Sequence, residues 1–125
     1  MKYDMAESHD LGKLGEDLAA EYLKKEGYRI IKRNWTFGRH EVDIIAENKD
    51  FLVFAEVKTR TEELLIPVGD IVNREKQRSI ILCAEKYISW NNISRESRFD
   101  VIIVIVSEGV NKIEHIPDAF YPTLR

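Results

Sequence analysis

The chain has 125 residues, of which 44% are hydrophobic and 33% are charged. This length suits one domain and excludes two domains of ordinary size, and the hydrophobic share excludes an intrinsically disordered chain. Because the net charge is -3, the molecule lacks an overall basic field for nucleic acid, and any such contact needs local clusters of basic residues.

The cysteine content and the apolar segments indicate where the protein works. Cys83 is the single cysteine, which excludes an intrachain disulfide and a multi-cysteine zinc site and favours a reducing compartment. No segment approaches the ~20 consecutive apolar residues of a membrane-spanning helix, and the polar N-terminus lacks the apolar stretch of a secretion signal. We therefore expect a cytoplasmic protein, without a membrane partner, that forms one domain over residues 1–125.

A helix is the first predicted element, after a flexible tail over residues 1–8. Ser8 or Asp10 can cap its N-terminus, and Gly27 suits a left-handed residue at its end. Between these positions apolar side chains recur at helical spacing, namely at Leu11, Leu14, Leu18, Tyr22 and Leu23.

Three strands are predicted next, over residues 28–33, 41–47 and 51–59. A loop at 34–39 separates the first two, and the pair Asn48-Lys49 forms a turn between the second and the third. The third strand contains an unbroken apolar run, residues 52–55, which indicates a central strand covered on both faces.

The second half of the chain predicts a long helix, a buried strand and a short final strand. Asp70 can cap the helix, which extends to about Trp90, with Tyr87 and Trp90 buried against the sheet or a partner chain. Strands follow over residues 99–106 and 112–116. The order α-β-β-β-α-β, with a small C-terminal addition, predicts an α/β fold with a mixed central sheet flanked by helices.

The hairpin between the second and third predicted strands brings two acids near each other. If Asn48-Lys49 is a two-residue turn, Asp43 lies opposite Phe54. Asp43 is then diagonal to Glu56 on one face of the sheet, with the two backbones roughly 7–8 Å apart. A one-residue slip in this register would put the two acids on opposite faces.

Two carboxylates in a partly buried site repel each other, and burial of an unpaired charge is costly. A divalent cation resolves the repulsion, and Mg²⁺, or Mn²⁺ in its place, takes carboxylate oxygens together with water molecules. Lys58 points to the same side as Glu56, where it can orient an attacking water and stabilise charge on a phosphate. Asp43, Glu56 and Lys58 therefore predict a metal-dependent site that hydrolyses phosphodiesters.

A simpler interpretation of the same residues stays open. Glu56 and Lys58 could form an exposed ion pair on one strand face, worth less than about 1 kcal/mol, and Asp43 could be a surface acid at a strand end. Spacing alone favours this interpretation, because the pattern Glu-x-Lys is common. The position of Glu56 at the end of the most apolar strand, facing a second acid, favours the metal site.

Seven short blocks of the sequence stand out in chain order: Gly15-Glu16, Gly27-Tyr28, Arg33-Asn34, Glu41-Val42-Asp43-Ile44-Ile45, Val53 to Arg60, Arg98-Phe99-Asp100-Val101 and His115 to Phe120. Together they resemble the YraN-like family of predicted endonucleases, from about Leu11 to Phe120, although no block is specific by itself. That family resembles a branch of the PD-(D/E)XK superfamily, which has a restriction-endonuclease-like core and includes archaeal Holliday-junction resolvases.

The resemblance implies a role for each matching residue of the central strands. Asp43 and Glu56 would be the metal-binding acids, assisted by the backbone carbonyl of Val57. Lys58 would be the catalytic lysine of the family motif. The cofactor implied is Mg²⁺, with Mn²⁺ as the alternative.

The resemblance also reaches both helices. Glu16 matches a glutamate that joins the metal site in resolvase-like members, and Lys76 matches a lysine of the second helix. Each lies at helical spacing from buried residues, where a charge needs a partner, although a long side chain can also extend from such a position to solvent. The sequence departs from the pattern at His40, where the family usually has glycine, and at Val42, where the superfamily name has proline. His40 could add a ligand or a phosphate contact, whereas a lone loop histidine is more often a surface residue.

Basic residues cluster around an aromatic loop and at the start of the second helix. Interleaved basic and aromatic side chains suit phosphate contact and base stacking. The alternative is that the aromatic residues pack the loop onto the core and the basic residues are dispersed surface charges. The residues predicted to contact nucleic acid are Arg33, Trp35, Arg39, His40, Arg60, Arg74 and Lys76.

The sequence therefore predicts a Mg²⁺-dependent endonuclease acting on DNA, and the resolvase resemblance adds branched or junction DNA and a homodimer by analogy. Two other classes stay open: a non-catalytic module of the same fold that recruits partners to nucleic acid, and a structural domain in which the charges form an ion-pair network. Metal binding separates the last class from the others, because such a network should gain no thermal stability from Mg²⁺.

Overall fold

The computed structural model describes residues 5–61 and 71–122, with side chains from Asp10 onward. In chain order, the described elements are α1 (Met5–Lys25), β1 (Arg29–Phe37), β2 (His40–Glu47), β3 (Leu52–Arg60), α2 (Arg74–Trp90), β4 (Ser97–Ser107) and β5 (Val110–Phe120). The predicted helix cap Asp70 lies outside the described residues.

The strands form a five-stranded sheet in the order β1-β2-β3-β4-β5. β3 and β4 are parallel, and the other neighbouring pairs are antiparallel. The predicted α/β fold with a mixed sheet is therefore confirmed. β3 is the central strand, and its residues 52–55 are at most 1% exposed, as the unbroken apolar run predicted.

α1 and α2 pack on opposite faces of the sheet. Alternate residues at the end of β3 belong to two separate buried clusters, one on each face. Phe54 belongs to the cluster that contains Ile80 of α2, and Ala55 belongs to the cluster that contains Leu23 of α1. Successive side chains at the end of β3 therefore point alternately to the two layers, and Glu56 falls with Phe54 on the α2 side.

Two strands extend beyond their predicted ends. The loop predicted at 34–39 is wrong, because β1 continues to Phe37, which pairs with His40 across a tight turn. Gly38 has a φ of 59° in this turn, a left-handed conformation that glycine adopts at little cost. β5 continues through Pro117 to Phe120. Since β5 is an edge strand, a residue without an N–H group need not interrupt its pairing with β4.

α1 begins before both of its predicted caps, and the N-cap of α2 is a residue that was not predicted as a cap. α1 begins at Met5, so the last residues assigned to the tail are helical, since Met, Ala and Glu favour a helix. α2 begins at Arg74, and its N-cap is Asn73, whose Oδ1 accepts a hydrogen bond from the Lys76 amide at 2.9 Å. No helix in the described part of the chain is long and apolar enough to span a membrane.

α1 packs against the sheet through Gly15, Ala19 and part of the predicted stripe. Ala19 and Leu23 are fully buried, and a Cβ added to Gly15 would lie 1.9 Å from Oγ1 of Thr59 on β3. The helix therefore lies too close to β3 for any side chain at this glycine. Leu14 is left at the flank, where it is 42% exposed, so its predicted burial is wrong.

The turn between β2 and β3 is longer than predicted. Glu47 pairs with Leu52, so the turn spans four residues instead of two. Oδ1 of Asn48 accepts hydrogen bonds from the amides of Asp50 and Phe51 at 2.9 and 2.8 Å. An asparagine side chain that binds the following amides in this way stabilises a turn without glycine.

The longer turn shifts β3 by two residues relative to the predicted register. Ile44 pairs with Ala55, and the next position on each strand places Asp43 across from Glu56 instead of diagonal to it. Because side chains alternate faces with a period of two, a shift of two residues leaves both acids on one face. The two acids come together although the predicted register is wrong.

Candidate metal centre

Asp43 lies where the regular alternation of β2 breaks. Val42 packs in the cluster on the α2 side, whereas Ile44, two residues later, packs in the cluster on the α1 side. The residue across from Asp43 on β1 is Asn34, whose φ of 52° lies in the left-handed region. Asparagine adopts this conformation more readily than most residues, so Asn34 accommodates the irregularity beside Asp43.

The carboxylate of Asp43 bridges from β2 to β3 and is 9% exposed. Its Oδ2 accepts a hydrogen bond from the backbone N–H of Val57 at 2.8 Å. Burial, then charge repulsion and a carboxyl–carboxyl hydrogen bond with Glu56, raise the pKa of Asp43 to about 7, against the smaller lowering effects of the Val57 amide and Lys76. Asp43 therefore holds a proton up to neutral pH unless a cation compensates its charge.

Glu56 is 3% exposed, and one of its oxygens is not satisfied. Oε1 is buried without a hydrogen-bond partner. The nearest cations are Nζ of Lys58, 3.6 Å from Oε2, and Nζ of Lys76, 3.8 Å from Oε1, distances that allow ion pairing and exceed hydrogen-bond length. Buried polar atoms are nearly always hydrogen-bonded, and an exception indicates a missing ion, a missing water or a functional role.

This burial excludes the exposed positions that the simpler interpretation gives to both acids, and the metal site stays a prediction. Asp43 is not a surface acid, and Glu56 is not half of an exposed ion pair, so the simpler interpretation is wrong. The side chains of Lys58 and Lys76 are 35% and 36% exposed. The site therefore consists of two buried acids in contact, with two lysines at its solvent side.

The residues present fit a Mg²⁺ ion that keeps most of its water. Asp43 and Glu56 supply two carboxylates, and Mg²⁺ is commonly bound through one or two carboxylates with several retained waters. Among the described side chains, no group of three or more acidic, histidine or cysteine residues is arranged to hold a metal ion. The roles of the Val57 carbonyl and of Glu16 as further ligands stay predictions.

Glu16 extends from α1 toward β1 rather than directly into the carboxylate pair. Its two oxygens accept hydrogen bonds from Nδ2 of Asn34 at 3.0 and 3.2 Å, and Arg33 approaches it to 3.5 Å. Burial raises the pKa of the neighbouring Glu41, and the charges of Asp43 and Glu16 raise it further. Glu16 and Glu41 line an open depression of about 850 Å³ beside the site, and Lys13 and Arg33 line it too, so this groove carries charges of both signs.

Three of the predicted nucleic-acid contacts are engaged by groups of the protein itself. Arg33 forms an ion pair of 2.8 Å with Asp17 of α1. Trp35 is half-buried, and its ring packs edge to face on Tyr87 at 5.3 Å, as the alternative interpretation of the aromatic loop expected. Arg60 is half-buried, and its guanidinium donates to the preceding backbone carbonyl at 3.5 Å.

Three other predicted contacts come together beside the carboxylate pair. Arg39, His40 and Lys76 line one depression of about 570 Å³. His40 is fixed there by a hydrogen bond of 2.8 Å between its Nδ1 and Oγ of Ser79 on α2. Arg74, the remaining one, lines a separate depression of about 640 Å³ near the end of β5. The local basic patch is therefore formed by the β1–β2 turn and the first half of α2.

Sequence reasoning missed a buried polar network around Asp100 on β4. Asp100 is fully buried, and it accepts hydrogen bonds from Arg98 at 2.9 and 2.7 Å and from the Asp118 amide at 3.0 Å. Nε2 of His115 lies 2.7 Å from the same carboxylate, and Tyr22 of α1 bonds to Nδ1 of His115 at 3.0 Å. The available signal was a charged pair, Arg98 and Asp100, at alternate positions entering an otherwise apolar strand.

Comparison with known proteins identifies the family. The chain matches the family described as "Uncharacterised protein family UPF0102" over residues 15–104. It is 44% identical over 117 residues to UPF0102 protein FP2501 of Flavobacterium psychrophilum, covering 94% of this chain and 98% of the relative. It is 41% identical over 121 residues to a UPF0102 protein of Parabacteroides distasonis, covering 97% of this chain and 100% of the relative. These matches confirm the YraN-like family indicated by the sequence blocks, and the chain belongs to family UPF0102.

Proposed function

We propose that this protein is a Mg²⁺-dependent nuclease that hydrolyses phosphodiester bonds in DNA in the cytoplasm. The observation that supports the proposal is that Asp43 and Glu56 are both buried on neighbouring strands, one residue beyond the Ile44–Ala55 pair, with an oxygen of Glu56 left without a hydrogen-bond partner. A pair of buried acids that repel each other is costly to maintain. A bound divalent cation would offset this repulsion, whereas a purely structural role leaves the cost of the pair unexplained.

The side chains around the pair have distinct tasks in this proposal. Asp43 and Glu56 would hold the ion, which supplies a Lewis acid and an activated water when it is bound. Asp43 must release its proton for this, so metal affinity should rise with pH through the range near 7. Lys58, which lies 3.6 Å from Glu56, would orient the attacking water and stabilise negative charge on the phosphate in the transition state.

The resemblance of the sequence blocks to resolvase-like nucleases motivates two further parts of the proposal. Branched or junction DNA would be the preferred substrate, and a homodimer would be the working form, since two strands of a junction need two centres. The basic patch of Arg39, His40 and Lys76 beside the acids would contact the phosphates that flank the cleaved bond.

Cleavage assays test the proposal directly. Purified protein is incubated with labelled linear, nicked, flapped and four-way-junction DNA in Mg²⁺, in Mn²⁺ or in EDTA. Glu56→Gln keeps the shape of the side chain and removes its charge, and Lys58→Ala removes the lysine. Glu108→Gln is the matched control, because it changes an exposed glutamate in the β4–β5 turn.

We expect metal-dependent cleavage that Glu56→Gln and Lys58→Ala reduce at least about a hundredfold, and that Glu108→Gln leaves unchanged. We also expect Mg²⁺ to raise the thermal midpoint of the wild type and not that of Glu56→Gln. DNA binding without cleavage would favour the recruiting module of the same fold. Neither binding nor any response to metal would leave the ion-pair network as the role of these residues.

A further inference from the structure

An exposed aromatic cluster lies at the far end of α2 from the carboxylate pair. Trp90, the last residue of α2, is 61% exposed, which excludes its burial against the sheet, whereas burial against a partner chain stays a prediction. Its ring contacts the edges of Phe37 at 5.5 Å and Trp35 at 6.1 Å, and Trp35 is anchored in turn on Tyr87. We name Trp35, Phe37 and Trp90 the aromatic platform. Its inner ring is fixed by the core while its outer ring faces solvent.

Two positive charges lie beside the aromatic platform. Nζ of Lys86 lies 5.4 Å from the centre of the Phe37 ring, and the exposed Arg39 follows Phe37 in the β1–β2 turn. Glu85, the nearest acid along α2, lines a different depression together with Tyr121. Exposed aromatic faces among cations suit a ligand with flat apolar rings and a negative backbone.

A continuous line of contacts connects the aromatic platform to the metal centre. Lys76 lies 3.8 Å from Glu56, Ser79 on the next turn of α2 bonds to His40, and His40 pairs with Phe37 of the platform. Along the axis of α2, Lys76 and Trp90 are about 21 Å apart at the helical rise of 1.5 Å per residue. One bound strand could therefore contact both regions.

We infer that the aromatic platform is a base-stacking site for single-stranded nucleic acid that leads into the metal centre. Bases in a duplex are stacked on their neighbours and cannot offer their faces to a protein, whereas bases of a single strand can stack on Trp90. The assignment of that strand as a substrate rests on the proposed nuclease function. It makes flaps, overhangs and unpaired arms of branched DNA the preferred substrates, ahead of continuous duplex.

Binding in EDTA tests the inference without cleavage. The wild type is titrated against a labelled single strand of about 12 nucleotides and against the corresponding duplex, and fluorescence anisotropy gives the dissociation constants. Trp90→Ala removes the outer ring, and Trp90→Phe keeps an aromatic face. Tyr121→Ala is the matched control, since Tyr121 is 68% exposed and lies outside the platform.

We expect Trp90→Ala to weaken single-strand binding about fivefold to a hundredfold, the range for loss of one stacked base. Trp90→Phe should retain most of the affinity, and Tyr121→Ala should match the wild type. Duplex binding should change by less than twofold in all three variants, and quenching of tryptophan fluorescence by the single strand should be reduced in Trp90→Ala, which keeps only Trp35.

Several results would overturn the inference. These are failure of the wild type to bind the single strand, equal affinity in Trp90→Ala, or an equal loss in Tyr121→Ala. A Trp90→Ala protein that binds the strand normally but changes from dimer to monomer would assign the aromatic platform to a second copy of the chain. Absence of cleavage with intact Trp90-dependent binding would remove the proposed nuclease function and leave the stacking site standing.

Discussion

Asp100 and Asp43 are both buried acids of the central sheet, and they differ in how many partners compensate the charge of the carboxylate. Asp100 receives the guanidinium of Arg98, the imidazole of His115 and a backbone amide. Although burial alone would raise the pKa of Asp100, the hydrogen bonds from His115 and Arg98 outweigh it and lower this pKa. Asp43 receives one amide and faces a second acid, and its pKa rises to about 7.

The difference separates an acid whose charge is compensated within the fold from a pair of acids whose repulsion is not compensated. Fully satisfied buried charges contribute rigidity, whereas unsatisfied ones cost free energy in the empty protein. The Asp100 network ties β4, β5 and α1 together, because Tyr22 of α1 bonds to His115 of β5. The Asp43–Glu56 pair has no comparable set of partners among the described residues. In the proposed function, a bound cation would compensate its negative charge.

The largest expected effect is loss of stability when the Asp100 network is broken. Asp100→Asn would leave Arg98, whose side chain is 12% exposed, without its buried counter-charge. We expect the free energy of unfolding to fall by about 3–5 kcal/mol, measured by urea denaturation at neutral pH in EDTA. Asp43→Asn is the contrasting variant, and it should hold or raise stability because it removes repulsion with Glu56. A similar loss in both variants would contradict the comparison.

The two acids should also impose opposite pH dependences. The pKa of Asp43 rises from 3.8 to about 7 on folding, so its stabilising contribution is complete below its unfolded pKa and is lost as pH rises through that window. The pKa of Asp100 is lowered on folding, so its contribution is present above its unfolded pKa and is lost as the solution is acidified below it.

Since one unit of pKa difference corresponds to about 1.4 kcal/mol, we expect unfolding free energy to fall by about 2–4 kcal/mol across the Asp43 window. Denaturant titrations in EDTA at several pH values measure this slope. Asp43→Asn should flatten it and leave the acid-side loss from Asp100 in place. An unchanged slope in Asp43→Asn would show that another group titrates there.

A smaller loss of stability is expected from a substitution at the contact between α1 and β3. Gly15→Ala would put a Cβ 1.9 Å from Oγ1 of Thr59, so α1 must move away from the strand end beside the metal centre. We expect a loss of about 1–3 kcal/mol in the free energy of unfolding, measured by urea denaturation. Gly12→Ala is the matched control, because no heavy atom lies within 4 Å of its added Cβ, and it should raise stability by about 0.5–1 kcal/mol. Equal effects of the two substitutions would refute the close packing.

Local pattern was sufficient for much of the fold and for the central acids. The apolar run at Leu52–Ala55 predicted the central strand, because a strand covered on both faces needs apolar residues at every position. Asp43 and Glu56 were correctly predicted on one face of the sheet although the predicted turn was too short. A register shift by an even number of residues leaves each side chain on its face, and the shift here is two residues. Periodicity also predicted α2 as far as Trp90.

Tertiary packing decided what periodicity could not. The burial of Leu14 was predicted wrongly because the distance between α1 and β3 is set by Gly15 and Thr59, which are far apart in the chain. The left-handed Asn34 opposite Asp43 and the partners of Asp100 are likewise nonlocal. Sequence by itself therefore determined which residues are apolar, charged or turn-forming and which face the residues of the central strand take. Only the tertiary structure decided which buried charges find partners, because hydrogen bonding depends on atoms that the chain brings together from distant positions.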